Sequence, residues 1–147
     1  MDVQYYDVGR LNEEAEDALG ARFRLFAEVL RGSDILSLRV PLTKVTRHLI
    51  GAAELALMKP SAILVNTCRG PVVDEAAMFT ALGTGVIQGA GLDVFEQEPP
   101  ASDNVILTTH MAGPTWRTAS SASATHSTMF NGSSQEMCRS GSFPHCA

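Results

Sequence analysis

Along residues 1–118, short runs rich in β-branched and aromatic residues alternate with runs of helical period. VQYYD (3–7) predicts a strand, and NEEAEDALG (12–20) predicts a helix with Asn12 as its N-cap and Gly20 as its stop. FAEVLRGS (26–33) reads as a second short helix, and DILSLRV (34–40) reads as a strand that ends at Pro41. GAAELALMKP (51–60) is a helix stopped by Pro60, and AILVNT (62–67) is a strand. DEAAMFTALGTG (74–85) carries carboxylates in its first turn and glycines at its end, as a helix macrodipole and C-cap favour. VIQGAGLDVF (86–95) and NVILTT (104–109) are the last two strands. Beyond residue 118 the pattern stops: 119–147 holds eight serines, two charged residues and no sustained apolar period, which predicts disorder.

Strands this apolar, separated by helices, imply an α/β protein with a parallel sheet covered on both faces. Right-handed crossovers then make the sheet doubly wound. Ligands of such sheets bind beyond the carboxyl ends of the strands. Polar residues collect there: Asp7, Thr67 to Gly70, Asp93 to Glu98, and His110, with Pro41 at a further strand end. Arg69 is suited to a bidentate grip on a carboxylate, and a histidine suits proton transfer to or from a hydroxyl. A carboxylate such as Glu98 beside that histidine would favour the imidazolium. Each residue alone reads as an ordinary surface or turn residue; it is their recurrence at successive strand ends that points to a cleft.

Composition narrows the setting. The 147 residues suit one domain, at 45% hydrophobic and 18% charged. A net charge of −5 argues against nucleic acid as a partner. No basic start with an apolar run marks a secretory leader, and no run approaches a membrane span, so no membrane partner is expected. Cys68, Cys138 and Cys146 are odd in number and lack framework or zinc spacing, which implies a reduced, cytoplasmic setting and no metal.

Four segments then resemble one family in order: SDILSLRVPLT (33–43), LALMKPSAILVNTCRGPVVDEAAM (55–78), GAGLDVFEQEPP (89–100) and VILTTHMAGPT (105–115). They are similar to the nucleotide-binding domain of the D-isomer-specific 2-hydroxyacid dehydrogenases. The resemblance implies a partial Rossmann-like NAD-binding domain over 1–118, followed by the serine-rich tail 119–147. It implies NAD as cofactor, a small 2-hydroxy or 2-keto acid as substrate, and a homodimer. By the same resemblance Arg69 holds the substrate carboxylate, His110 is the proton-transferring base, and Glu98 is its acidic partner. Asp7 accepts hydrogen bonds from the adenosine ribose, and an acid there favours NAD over NADP, although Arg10 nearby weakens that preference. Val40 and Pro41 line the adenosine side. Asp93 and the Thr67 backbone hold the nicotinamide carboxamide. Cys68, Ala112 and Gly113 complete the cofactor-binding set with Arg69 and His110.

The sequence also departs from the family. No G-x-G-x-x-G precedes VQYYD, so the turn that cradles pyrophosphate is missing from these residues, as is the flanking catalytic domain. Arg39 stands where the family often has histidine, and PPASDNV (99–105) is a short loop between Glu98 and His110. The tail reads as out-of-frame or alternatively spliced sequence. Weak NADH binding and negligible hydride transfer by the isolated chain are therefore expected. A non-catalytic module that senses NAD(H), like the family's corepressor relatives, and an inactive truncated product are the alternatives.

Overall fold

A computed structural model describes residues 1–96, 104–108 and 110–112. Met1–Ala112 form one compact unit. Glu98, Gly113 and the serine-rich tail with Cys138 and Cys146 lie outside the described residues.

The chain runs β1 (Val3–Tyr5), α1 (Glu13–Leu19), β2 (Ala21–Phe23), α2 (Phe26–Gly32), β3 (Ile35–Leu38), α3 (Ala52–Leu55), β4 (Ile63–Asn66), α4 (Glu75–Gly83), β5 (Gly89–Leu92) and β6 (Val105–Leu107). A single 3-10 turn, Gly70–Val72, separates β4 from α4. The strands form two parallel sheets, one of β1 and β2 and one in the order β3-β4-β5-β6. All pairs are parallel, and helices α1 to α4 lie between successive strands from β1 to β5, as the α/β reading expected.

The helix signals in the sequence act as capping rules require. Asn12 accepts a 2.9 Å hydrogen bond from the Ala15 amide, and Gly20 closes α1 at φ 60°, a left-handed conformation that glycine adopts without a Cβ penalty. Asp74 caps α4 by accepting from the Ala77 amide at 3.0 Å, and Glu75 follows in the first turn. Helix α2 has no side-chain N-cap; Glu28 instead reaches back to the Leu25 amide at 2.9 Å.

Three expectations change. β2 was not foreseen, because three residues with a central arginine carry no period; it forms by pairing with β1. The helix expected over 51–60 is regular only for Ala52–Leu55, since the Leu57 and Met58 amides bond three residues back and tighten the last turn before Pro60. The expected cover on both sheet faces is replaced by cover on one among the described residues. Leu36, Leu64 and Ala90 share a register row and pack with Leu30 of α2, Leu55 of α3 and Met78 of α4 in one core. The neighbouring residues of β3 and β4, Ile35 and Ile63, point the other way, at 62% and 37% exposure. Glycine at 89 and 91 leaves that same face of β5 without side chains.

The first sheet is tied to its helix by a polar cluster. Glu16 of α1 is buried, accepts the Tyr5 hydroxyl at 3.0 Å and the Arg10 Nε at 2.9 Å, and the Tyr5 oxygen accepts the Leu11 amide at 2.9 Å. The Arg10 hydrogen bond holds the Glu16 carboxyl below the usual range against the opposing effect of burial. The Arg10 guanidinium also lies 5.5 Å from the centre of the Phe23 ring.

The one-sided sheet makes a direct prediction within β4. Leu64→Ala empties a fully buried site and is expected to cost about 2–5 kcal/mol. Ile63→Ala, on the open face, is expected to cost a small fraction of that. Chemical denaturation of both variants checks the pair, and equal losses would mean that the face of Ile63 is covered.

Candidate functional site

The parallel register sets the site. Asn66 of β4 lies opposite Leu92 of β5, and Leu92 opposite Leu107 of β6. Arg69 therefore follows its strand by three residues, Asp93 by one and His110 by three, all leaving one sheet edge. Arg69 and His110 emerge from strands separated by β5, and adjacent strands lie about 4.8 Å apart.

Asn66 shapes the turn that presents Arg69. It is buried, and its Oδ1 accepts the Cys68 amide at 3.1 Å and the Cys68 Sγ at 3.0 Å. Its Nδ2 donates to the Arg69 carbonyl at 3.0 Å, and its own carbonyl accepts the Asp93 amide at 3.0 Å. The turn at Thr67–Arg69 is thus held from inside, while the Arg69 side chain is exposed. Among the described residues the Arg69 guanidinium donates from Nη1 to the adjoining Cys68 carbonyl at 2.6 Å. The Thr67 Oγ1 is buried without a hydrogen-bond partner among the described residues, an orphan at the strand end. Burial pushes the Cys68 thiol up, opposed by the backbone of Arg69 and Val40, so Cys68 also joins the ends of β3 and β4.

Asp93 builds the other side. It is 3% exposed, and its Oδ1 accepts the Thr108 hydroxyl and the Met111 amide at 2.8 Å; its Oδ2 accepts the Ala112 amide at 2.9 Å. Its carbonyl accepts the His110 amide at 3.0 Å. His110 adopts φ 53°, a left-handed conformation that a non-glycine residue holds only when its surroundings impose it. These bonds from Thr108, Met111 and Ala112 impose it. Burial alone would raise the Asp93 pKa; the hydrogen bonds and the nearby His110 outweigh it, and the carboxyl stays below its usual range.

The remaining expected residues are placed as follows. Asp7 leaves β1 and its Oδ1 accepts the Gly9 amide at 3.1 Å. Arg10, beside it in sequence, is turned to Glu16. Val40 is half-buried and Pro41 exposed beyond β3, with the Pro41 carbonyl accepting the Thr46 hydroxyl at 2.6 Å. Ala112 enters through its amide on Asp93. The carboxylate of Asp93, matched by resemblance to a cofactor contact, is here bonded to the loop of His110.

Sequence reasoning passed over Asn66 and Thr108. An asparagine closing the apolar run AILV was the available signal, because a buried amide must find partners. Among the described residues no group of three His, Cys, Asp or Glu is placed to hold a metal ion, and no helix is long and apolar enough to cross a membrane.

A parallel α/β sheet with its polar groups gathered at the carboxyl edge defines a dinucleotide-binding class of fold. The family model for the D-isomer specific 2-hydroxyacid dehydrogenase, NAD binding domain, matches residues 1–112, and the chain belongs to that family. It is 50% identical over 121 residues to a glyoxylate reductase of Thermococcus litoralis, covering 78% of this chain and 36% of that protein. The apo structure of Rhodotorula graminis D-mandelate dehydrogenase superposes with a TM-score of 0.71 at 45% identity, over 78% of this chain and 35% of that one. D-lactate dehydrogenase from Aquifex aeolicus, complexed with NAD and lactic acid, gives 0.71 at 36% identity, over 82% and 42%. The chain thus spans little more than a third of the length of the curated relative. NAD is the cofactor of this domain family.

The Asp93 bonds predict an acid sensitivity. Its folded pKa lies below the ordinary carboxylate value, so the stability it lends is complete above that value and is lost as pH falls through the depressed one. Asp93→Asn is expected to cost about 1.5–3 kcal/mol at neutral pH, as for hydrogen bonds to a charged group, and to flatten the acid limb of the unfolding curve. Denaturation as a function of pH checks this; an unchanged acid limb would remove Asp93 from the account.

Proposed function

We propose that this chain supplies the nucleotide-binding half of an NAD-dependent reductase cleft that acts on a small 2-keto acid of the glyoxylate or hydroxypyruvate type, giving the D-2-hydroxy acid. The observation that carries the reading is the pairing of an exposed Arg69, seated by Asn66, with a His110 turn seated by Asp93 at one sheet edge. The names of the glyoxylate reductase relative and of the D-lactate dehydrogenase complex support the substrate class.

The residues present fit part of the cofactor. The orphan Thr67 hydroxyl at the end of β4 offers a polar contact, and the Asp7 carboxylate at the end of β1 suits a ribose diol and would repel a 2′-phosphate. The nicotinamide, when bound, would give hydride to C2 as NADH in reduction and take it as NAD+ in oxidation. The chain's own residues do the rest. Arg69 grips the substrate carboxylate and orients it, and its charge polarises the adjacent carbonyl. His110 gives its proton to the carbonyl oxygen in reduction and takes the hydroxyl proton in oxidation. Glu98, by family resemblance, is the acid that favours the imidazolium. A cytosolic setting and a homodimer belong to the same proposal.

The test is a fluorescence titration of the purified chain with NADH, followed by assays with glyoxylate, hydroxypyruvate and pyruvate. Weak saturable binding is expected, because without a glycine-rich cradle several hydrogen bonds to charged groups, each worth about 1.5–3 kcal/mol, are not made. Turnover is expected to be negligible for the chain alone. Vigorous turnover abolished by His110→Ala would show that these residues suffice by themselves. Tight binding without turnover would favour an NAD(H)-sensing module, and no binding at all would sink the proposal.

A further inference from the structure

Three segments close on one another around Gly70. A methyl group on Gly70 would overlap the Phe95 carbonyl carbon and oxygen and the Glu96 nitrogen, so the peptide that follows β5 lies directly on the residue after Arg69. The turn before α3 reaches the same place: the His48 amide donates to the Pro71 carbonyl at 2.8 Å, and Ile50 bridges in parallel to Val73. Glu96 joins the two. Its carboxylate accepts Arg47 Nη2 on one oxygen and pairs with His48 Nε2 at 2.9 Å on the other. Its backbone amide donates to Glu75 at the start of α4. His48 holds φ 51° while doing so, a left-handed conformation uncommon for a non-glycine residue.

We propose that Glu96 is a positioning residue for Arg69: by clasping Arg47 and His48 it presses the Phe95–Glu96 peptide onto Gly70 and fixes the backbone from which the Arg69 guanidinium projects. Arg69 itself has little to hold it. Its side chain is exposed and bonded to its neighbour's carbonyl, and the Arg69 carbonyl is held by Asn66 and by the Val72 amide of the 3-10 turn. Anything that lets the post-β5 peptide lift from Gly70 frees that turn. Glu96 holds the peptide at both ends, by its side chain and by its amide. The functional side of this inference rests on the reading of Arg69 as a carboxylate site; the mechanical side does not.

The experiment uses the full chain labelled with 15N and oxalate as the dicarboxylate probe. The Arg69 Nε–H signal reports binding, and hydrogen exchange reports the clasp. Glu96→Gln is expected to weaken oxalate about tenfold, which corresponds to about 1.4 kcal/mol. It should also speed exchange of the His48 and Val72 amides while leaving the amides of α1 and β2 unchanged. Glu96→Asp should recover part of the affinity. Arg47→Gln, an exposed substitution on the other side of the clasp, should shift both readouts in the same direction by a smaller amount. Wild-type oxalate affinity in Glu96→Gln or in Arg47→Gln would overturn the proposal. Should the wild-type chain show no oxalate shift at Arg69 while the exchange changes occur, the carboxylate reading fails and the clasp stands.

Discussion

A buried amide must find hydrogen-bond partners, and Asn66 finds them in the turn that forms the site: the Cys68 amide and thiol on its oxygen and the Arg69 carbonyl on its nitrogen. Its side chain closes the Thr67–Arg69 turn from within, and its main chain pairs across to Asp93. The exposed guanidinium of Arg69 therefore stands on a turn that Asn66 holds from within. Asp93, tied to Asn66 through its amide, passes the constraint on to the loop of His110 through its carboxylate. Two groups that follow different strands are thus referred to one buried residue, through its side chain on one side and its main chain on the other.

The electrostatics of the edge follow from the same arrangement. Asp93 is removed from water, and it stays charged because a hydroxyl and two amides meet it. Glu96 stays charged by its bonds to His48 and Arg47, the former having the larger effect. Both carboxylates are spent on holding loops. Arg69 is a cationic group exposed at this edge, where an anionic substrate would be met.

Much of this was legible beforehand because it follows from local rules. Asn12 with Gly20, and Asp74 with Glu75, mark the ends of α1 and α4 by capping chemistry that acts within four residues. The apolar runs ILSL and ILVN declare core strands, and the motif resemblance matched the family that the chain belongs to. The three-residue β2 was invisible, because only its pairing with β1 makes it a strand. The exposure of one face of the larger sheet among the described residues was equally hidden: an apolar strand reads the same whether one face or both are covered.

What the amino-acid order determines by itself is most of the elements, the family, and the residue types delivered to the strand ends: Arg69, Asp93 and His110. What only the tertiary structure decided is how those ends are held. Asn66 to Arg69 is a local contact, but Asp93 to Met111 spans 18 residues and Glu96 to His48 spans 48. Hydrogen bonds of that separation leave no period and no cap in the sequence. They exist because parallel register brings distant strand ends to one edge, where a buried charge must find partners or lift from the core.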